Sequence, residues 1–223
     1  TNVNEAPVIT SASAVTVNEN TASVSTIIAS DPENTALTYS ISGGTDAARF
    51  SIDGATGALL FVSSPNFEAP ADSNGDNIYQ VTVRVSDGLL ATTRTLNVTV
   101  ANVNELPTIT SATAVSVGEN GTIVATVAAS DPEQAPLTYS ISGGADAAQF
   151  VIDAATGALS FVAAPAFEAP ADADGNNVYQ VEVSASDGVN SVSRIMSVTV
   201  SDVDEAPVIL SSAAFVVSEG QGE

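Results

Sequence analysis

The 223-residue chain has no cysteine, no histidine, no lysine and no tryptophan. Without cysteine no disulfide can staple a small domain, so its stability has to come from a core or from bound ions. Without histidine and cysteine, Ser-His-Asp and Cys-His catalysis and the usual zinc sites are excluded. Without lysine there is no Schiff-base chemistry. Cations are scarce altogether: 4 arginines stand against 26 carboxylates, for a formal charge of −22. A chain so acidic repels nucleic acid and anionic membranes, so nucleic acid is excluded as a partner. Long apolar runs are missing as well, and no direct membrane insertion is expected of this stretch. The apolar content of 44% is nonetheless ordinary for a folded domain, so the acidity does not signal disorder.

What the chain does contain is a repeat. Asn4-Glu5-Ala6-Pro7 returns as Asn104-Glu105-Leu106-Pro107 and as Asp204-Glu205-Ala206-Pro207. Asp31-Pro32-Glu33 returns at Asp131-Pro132-Glu133, and Phe67-Glu68-Ala69-Pro70 at Phe167-Glu168-Ala169-Pro170, always shifted by 100 positions. Roughly six in ten positions are identical between the two copies. A period this long suits one whole domain per unit. The expected organisation is repeat 1 at 1–105, repeat 2 at 106–205 and the start of a truncated third at 206–223, within a longer parent chain.

Within a unit the apolar residues alternate at a period of two, as in half-buried strands. Seven strands are expected near 7–17, 23–29, 36–42, 49–53, 58–63, 78–87 and 92–101. The clearest runs from Tyr79 to Val85, with Tyr79, Val81, Val83 and Val85 facing inward. Gly43-Gly44, Ala55-Thr56-Gly57, Asp72-Ser73-Asn74-Gly75 and Asp87-Gly88 punctuate them as turns. The expected fold is all-β, a tandem of seven-stranded Greek-key sandwiches. The recurring aromatics, such as Phe50, Phe61 and Tyr79, belong to the core on this alternation rather than to a sugar-stacking face.

The carboxylates fall at the turns and linkers. Alternate strands of an antiparallel sandwich end at opposite poles. Asp31, Glu33 and Asp87 therefore share one pole with the incoming linker Asn2-Val3-Asn4-Glu5. Glu19 and Glu68 share the other with Asn102, Asn104 and Glu105, facing Asp131, Glu133 and Asp187 of the next unit. Like charges a few ångströms apart repel by about 1 kcal/mol even in water. A divalent ion with six to eight oxygen ligands would turn that repulsion into a cross-link.

The ordered set of motifs resembles the cadherin repeat, in the form found in large bacterial surface and secreted proteins. Val17-Asn18-Glu19-Asn20 is similar to that family's first-turn glutamate motif, Asp31-Pro32-Glu33 to its Asp-x-Asp pair, and Asn66-Phe67-Glu68 to its Asp-Arg-Glu element. Ser86-Asp87-Gly88 is similar to its late aspartate, and Asn102-Val103-Asn104-Glu105-Leu106-Pro107 to its linker. Ile52-Asp53-Gly54-Ala55-Thr56-Gly57 resembles its mid-domain turn, which is structural. The resemblance implies Ca²⁺ at each linker, with about three ions stiffening the string. The implied ligands are Asn2, Asn4, Glu5, Glu19, Asp31, Glu33, Glu68, Asp72, Asp87, Asn102, Asn104 and Glu105. In the second copy they are Glu119, Asp131, Glu133, Glu168, Asp172, Asp187, Asp202, Asp204 and Glu205. Departures from the pattern imply weaker or fewer sites at the central linker: Asn102 stands for an aspartate that Asp202 restores, Asn66 becomes Ala166, and Glu33 and Glu105 replace aspartates. The loop Asp72-Ser73-Asn74-Gly75-Asp76-Asn77 reads either as a small independent ion loop or as an Asx-rich turn.

The expected function is a calcium-stiffened, non-catalytic extender in a large extracellular or cell-surface bacterial adhesin or matrix protein, such as one of a biofilm. Its partners would be calcium and the neighbouring repeats. Two other readings stay open: units that themselves adhere, homophilically or to a surface glycan, and an accessory module of a secreted polysaccharide-degrading enzyme. A carboxylate pair for glycoside hydrolysis, Glu68 with Asp31 or Asp87, lacks a cleft between the poles and recurs in every unit, which suits a structural role. Arg49, Arg84, Arg94 and Arg194 are scattered, and read as charges for solubility or local pairing rather than as a ligand site.

Overall fold

The computed structural model of the protein describes residues 3–207, so Asn2 and the chain from residue 208 onward, with most of the third repeat, lie outside the described residues. The chain divides into two compact units, Thr1–Glu105 and Leu106–Glu223.

Unit 1 holds β1 (Val8–Ile9), β2 (Ala14–Asn18), β3 (Ser23–Thr26), β4 (Ala29–Ser30), β5 (Thr38–Gly43), β6 (Phe50–Ile52), β7 (Ala58–Phe61), β8 (Ile78–Ser86) and β9 (Ala91–Ala101). A single 3-10 turn, Ala47–Arg49, precedes β6. One sheet runs β2-β9-β8-β5 and the other β3-β7-β6, with β1 and β4 as a separate two-stranded ladder. All pairings are antiparallel except β2 with β9, which are parallel. That is the Greek-key sandwich expected from the alternation.

The expected first two strands are each broken in two. The amides of Thr10 and Ser11 both donate to the Ile28 carbonyl, at 2.8 and 3.2 Å. That turns the chain out of its ladder with β4, and after Ser13 it crosses to pair with β9 instead. A strand that changes sheets in this way closes the corner of a sandwich.

The core follows the period-two pattern. Tyr79, Val81, Val83 and Val85 of β8, and Leu96, Val98 and Val100 of β9, are all at most 1% exposed. Each such side chain is worth about 1.5–3 kcal/mol of transfer free energy before entropy is charged against it. Phe50 stacks on Phe61 at 4.6 Å between centroids, and Tyr79 meets Phe61 edge-on at 5.1 Å. The Tyr79 hydroxyl reaches the loop beyond and accepts the Ala71 amide at 2.9 Å, so this buried ring also anchors the segment ahead of β8. Two glycines are compelled by space and by dihedral. A Cβ on Gly44 (φ +109°) would lie 2.5 Å from the Gln80 carbonyl oxygen, and one on Gly57 (φ +73°) 2.7 Å from that of Ile27.

Unit 2 repeats the pattern with β10 (Thr108–Ile109), β11 (Ala114–Gly118), β12 (Ile123–Thr126), β13 (Ala129–Ser130), β14 (Thr138–Gly143), β15 (Phe150–Ile152), β16 (Ala158–Phe161), β17 (Val178–Ser186) and β18 (Ser191–Ser201). Its sheets run β11-β18-β17-β14 and β12-β16-β15. One core change is partly offset across a ladder. Val85 pairs with Thr92 in unit 1, whereas Ala185 pairs with Val192 in unit 2. Val192 packs on the core there, so a methyl on the partner strand replaces the Thr92 hydroxyl and offsets part of the apolar surface lost at residue 185. Among the described residues no helix is long and apolar enough to cross a membrane.

Candidate metal centres

Each unit gathers acidic side chains at its two poles because its turns lie there. At the incoming pole of unit 1, the Asn4 amide donates to Asp87 Oδ2 at 2.8 Å, and the Glu5 backbone amide to Glu33 Oε2 at 3.2 Å. Asp87 Oδ1 accepts the amides of Leu89 and Leu90, both at 2.7 Å. The Leu90 amide foremost, then the Asn4 side chain and the Leu89 amide, hold the Asp87 carboxyl below its usual range. Asp31 is 8% exposed; its Oδ1 accepts the amides of Glu33 and Thr35, each at 3.0 Å. Asp31 Oδ2 is buried without a hydrogen-bond partner.

At the outgoing pole the organiser is Glu19, 2% exposed. Its Oε2 accepts the Phe67 amide at 2.7 Å and its Oε1 the Val103 amide at 2.8 Å. One carboxylate thus ties the loop before β8 to the chain leaving β9. Oxygens of Glu19, Glu68 and Glu105 lie within 4.8 Å of one another. Asn20, in the left-handed region at φ +60°, donates its side-chain amide to Glu105 Oε1 at 2.7 Å. Asn104 donates to the Glu105 carbonyl at 3.3 Å, while Asn102 is exposed.

Unit 2 is built the same way. Glu119 accepts the amides of Phe167 at 2.7 Å and Val203 at 2.9 Å. Oxygens of Glu119, Glu168, Asp202 and Glu205 lie within 4.8 Å of one another. The Phe167 and Val203 amides lower the Glu119 pKa, against a smaller opposing effect of burial. Asp204 is exposed. At the incoming pole Asp131 Oδ1 accepts the Ala135 amide at 3.0 Å, its Oδ2 is buried without a hydrogen-bond partner, and Glu133 is half-buried. Asp187 Oδ1 accepts the amides of Val189 and Asn190, at 2.7 and 2.6 Å.

The donor set fits a hard divalent cation. It consists of carboxylate and amide oxygens, Asp31 Oδ2 and Asp131 Oδ2 are buried and unpartnered, and the clustered acids have no lysine to offset them.

The Asp72 loop behaves differently. Asp72 accepts the amides of Asp76 at 3.0 Å and Asn77 at 3.3 Å, and Asp76 Oδ1 accepts that of Ile78 at 2.8 Å. Both oxygens of Asp72 therefore serve the backbone of its own loop, as in an Asx-type turn. Asp172 does the same toward Asn176 and Asn177, at 2.8 and 3.2 Å.

Three sets of residues went unrecognised in the sequence. Asp46 is 5% exposed, and it accepts the Ser73 amide at 2.7 Å and the Gln80 amide at 2.8 Å, pinning the Asp72 loop to β8. Asn20 and Asn120 were part of a visible motif, and an asparagine directly after the turn glutamate is itself a signal for φ > 0. Arg94 and Arg194 make a local pairing whose role in the fold was not foreseen: Arg94 donates to the Ser11 carbonyl, and Arg194 to that of Ser111 at 3.0 Å. Each holds the crossing that splits the first expected strand.

Strand order and the pairing of β2 with β9 define each unit as a cadherin-like, immunoglobulin-type sandwich, and the chain is a tandem of such repeats. The bacterial Ig domain family matches residues 4–101. Chitinase A of Pseudoalteromonas piscicida is 30% identical over 190 residues, covering 84% of this chain and 21% of that protein. Human protocadherin Fat 1 is 31% identical over 191 residues, covering 78% of this chain and 4% of that protein. In fold, the crystal structure of human protocadherin-24 EC1-2, form II, matches with a TM-score of 0.62 at 22% identity, over 90% of this chain and 100% of that one. The chain thus spans about a fifth or less of these two curated relatives.

Proposed function

We propose that this chain is a calcium-rigidified, non-catalytic extender module of a large extracellular protein. The observation that carries the reading is the convergence of Glu119, Glu168, Asp202 and Glu205 within 4.8 Å. Four carboxylates so close are costly unless neutralised, and the chain has no lysine with which to do it. Calcium, when bound, supplies the positive charge and the oxygen-coordinating valences that hold such groups together. Glu119 and Glu19 are fixed in advance by two backbone amides each, so they present their oxygens without further ordering. Glu68, Glu105, Asp202 and Glu205 complete the outgoing poles, and Asn4, Asp31, Glu33 and Asp87 would serve the incoming pole of unit 1. Asp131, Glu133 and Asp187 are the corresponding residues of unit 2.

On this reading the linker between successive repeats stiffens with calcium and flexes without it. The test is small-angle scattering and thermal melting of the chain in calcium and in chelator. A longer, stiffer particle and a higher Tm in calcium are expected; identical curves would overturn the proposal. Extracellular placement is part of it, supported by the cadherin-like fold. The likeness to chitinase A favours one further reading, in which such a module is the accessory part of a polysaccharide-degrading enzyme.

A further inference from the structure

The two units differ most tellingly in a cavity that borders the outgoing acidic cluster, where the Pro65 carbonyl of its lining accepts the Asn20 backbone amide at 2.8 Å. In unit 1 a concavity of about 200 Å³ lies between the turn Ala47–Arg49, the end of β7 and the loop leading to β8. Phe61 and Tyr79 form its floor, and Arg49, Ser63, Ser64 and Asn66 supply its polar lining. The floor is retained in unit 2 as Phe161 and Tyr179. All four polar positions change, to Gln149, Ala163, Ala164 and Ala166, while the apolar lining positions are identical. The same apolar scaffold thus carries hydrogen-bonding groups at four positions in unit 1 and at one in unit 2. In unit 2 the Gln149 side chain donates to the Ala171 carbonyl at 3.2 Å. In unit 1 Arg49 is exposed, and its guanidinium has no hydrogen-bond or ion-pair partner among the described residues.

The chemistry of the lining specifies the ligand. Arg49 offers a planar fork of donors, matched to a carboxylate. Asn66 has committed its Oδ1 to the Ala69 amide at 2.6 Å, which leaves its NH₂ as the available group. Ser63 and Ser64 are exposed hydroxyls able to meet further hydroxyls. Phe61 and Tyr79 are 4% and 1% exposed, so no ring face is available for stacking, and the Tyr79 hydroxyl is already taken by Ala71. The volume falls below the ~300–1,000 Å³ of pockets for drug-sized ligands, which limits the occupant to about one ring. We propose that unit 1 binds a single acidic sugar residue, a hexuronate, with its carboxylate on Arg49 and its hydroxyls on Ser63, Ser64 and Asn66. Carboxylates farther than about 8 Å away are largely screened at physiological salt, and the nearer Asp46 and Asp72 both have their oxygens turned to backbone amides.

The experiment is NMR titration of the chain with galacturonate, run at physiological salt in calcium and again in chelator. The two conditions separate a failure of this proposal from a failure of the calcium reading. Shifts confined to residues 49 and 61–66 are expected, with galactose, acetate and sulfate giving none. Arg49→Gln should weaken binding at least about tenfold with an unchanged Tm, as loss of a charge-assisted pair demands. The four changes Gln149→Arg, Ala163→Ser, Ala164→Ser and Ala166→Asn should install binding in unit 2. A trisaccharide of the same uronate binding no tighter than the monosaccharide would support a one-residue pocket. Equal response to acetate or sulfate would reduce the site to a bare anion contact and overturn the sugar assignment. No response to galacturonate, or binding indifferent to Arg49→Gln, would overturn the proposal altogether.

Discussion

The side-chain amide of Asn20 donates to the carboxylate of Glu105 at 2.7 Å, and Asn120 stands in the same relation to Glu205 at 2.7 Å. Eighty-five residues separate the partners in each case. Asn20 sits at φ +60° and Asn120 at φ +63°, which aims each amide at the chain leaving its unit. A turn residue near the start of the domain therefore orients an acid at its end. The pairing also keeps one oxygen of Glu105 fixed beside Glu19 and Glu68.

This arrangement separates two substitutions at position 20. Asn20→Gly keeps the backbone conformation and loses only an exposed hydrogen bond, at the low end of the ~0.5–1.5 kcal/mol range. Asn20→Ala loses the same bond and adds about 1 kcal/mol for a Cβ in the left-handed region. Urea denaturation in chelator should rank wild type above Gly above Ala. An Ala variant as stable as the Gly variant would show that the backbone at residue 20 relaxes freely.

Glu19 is the more demanding position. Both its oxygens accept backbone amides in a buried setting. Glu19→Gln preserves the shape but sets an NH₂ group against one of those donors. Leaving a buried donor unsatisfied costs about 1–3 kcal/mol, which should appear as a lower urea midpoint at unchanged m-value. The loss should grow in calcium if the pole binds it, because the variant also removes a ligand charge. A variant equal to wild type in both conditions would deny Glu19 its organising role.

How much of this was visible in the sequence depends on distance along the chain. Tyr79 to Val85 could be placed inward because alternation is a local signal, and Glu19 and Glu68 could be assigned to one pole by counting strand ends. The break between β1 and β2 was missed because Thr10-Ser11-Ala12-Ser13 holds no glycine or proline to mark a turn, and the Ile28 carbonyl that turns the chain there stands far along the sequence. Asp46 was also hidden. It is a lone aspartate in a glycine turn, and its partners Ser73 and Gln80 stand 27 and 34 residues further on. Arg49 looked like an isolated surface charge because nothing in the sequence shows that its turn lies beside Ser63, Ser64 and Asn66.

Acid should destabilise the chain in a defined window. Glu119 is lowered by the Phe167 and Val203 amides, Asp87 by Leu90, Asn4 and Leu89, and Asp53 and Asp153 by the amides and hydroxyls of Thr56 and Thr156. A carboxyl whose folded pKa lies below its unfolded value releases protons on folding, so its contribution is complete above the unfolded pKa. It is lost as pH falls through the folded value. The ordinary values are 4.5 for Glu119 and 3.8 for the aspartates. Stability in chelator should therefore be flat from neutral pH to about 5 on these groups' account, then fall. Asp174 acts in the opposite sense: Asp172 beside it raises its pKa, so Asp174→Asn should slightly stabilise the chain near neutral pH and not in acid. Chemical denaturation from pH 7 to 3 checks both, and a stability that rises below pH 4 would contradict the first.

Calcium affinity should differ between the two outgoing poles for a reason that one atom type carries. Unit 2 brings Asp202 into its cluster with Glu119, Glu168 and Glu205, whereas unit 1 has the neutral Asn102 at the corresponding position. Affinity at oxygen sites follows ligand charge and rigidity, and Glu19 and Glu119 are fixed by equivalent pairs of amides. Charge at residue 102 is therefore the variable to change. Asn102→Asp should tighten calcium binding and raise Tm in calcium, while Tm in chelator falls or stays level, because the added carboxylate only repels its neighbours when no ion is present. A ligand at 100 times its Kd stabilises the folded state by about 2.7 kcal/mol, so even a modest gain in affinity moves the melt measurably at low calcium. The reciprocal change, Asp202→Asn, should lower affinity in titration calorimetry. If Asn102→Asp instead raised Tm equally in calcium and chelator, the substitution would be acting through local hydrogen bonding, and residue 102 would have no part in holding an ion.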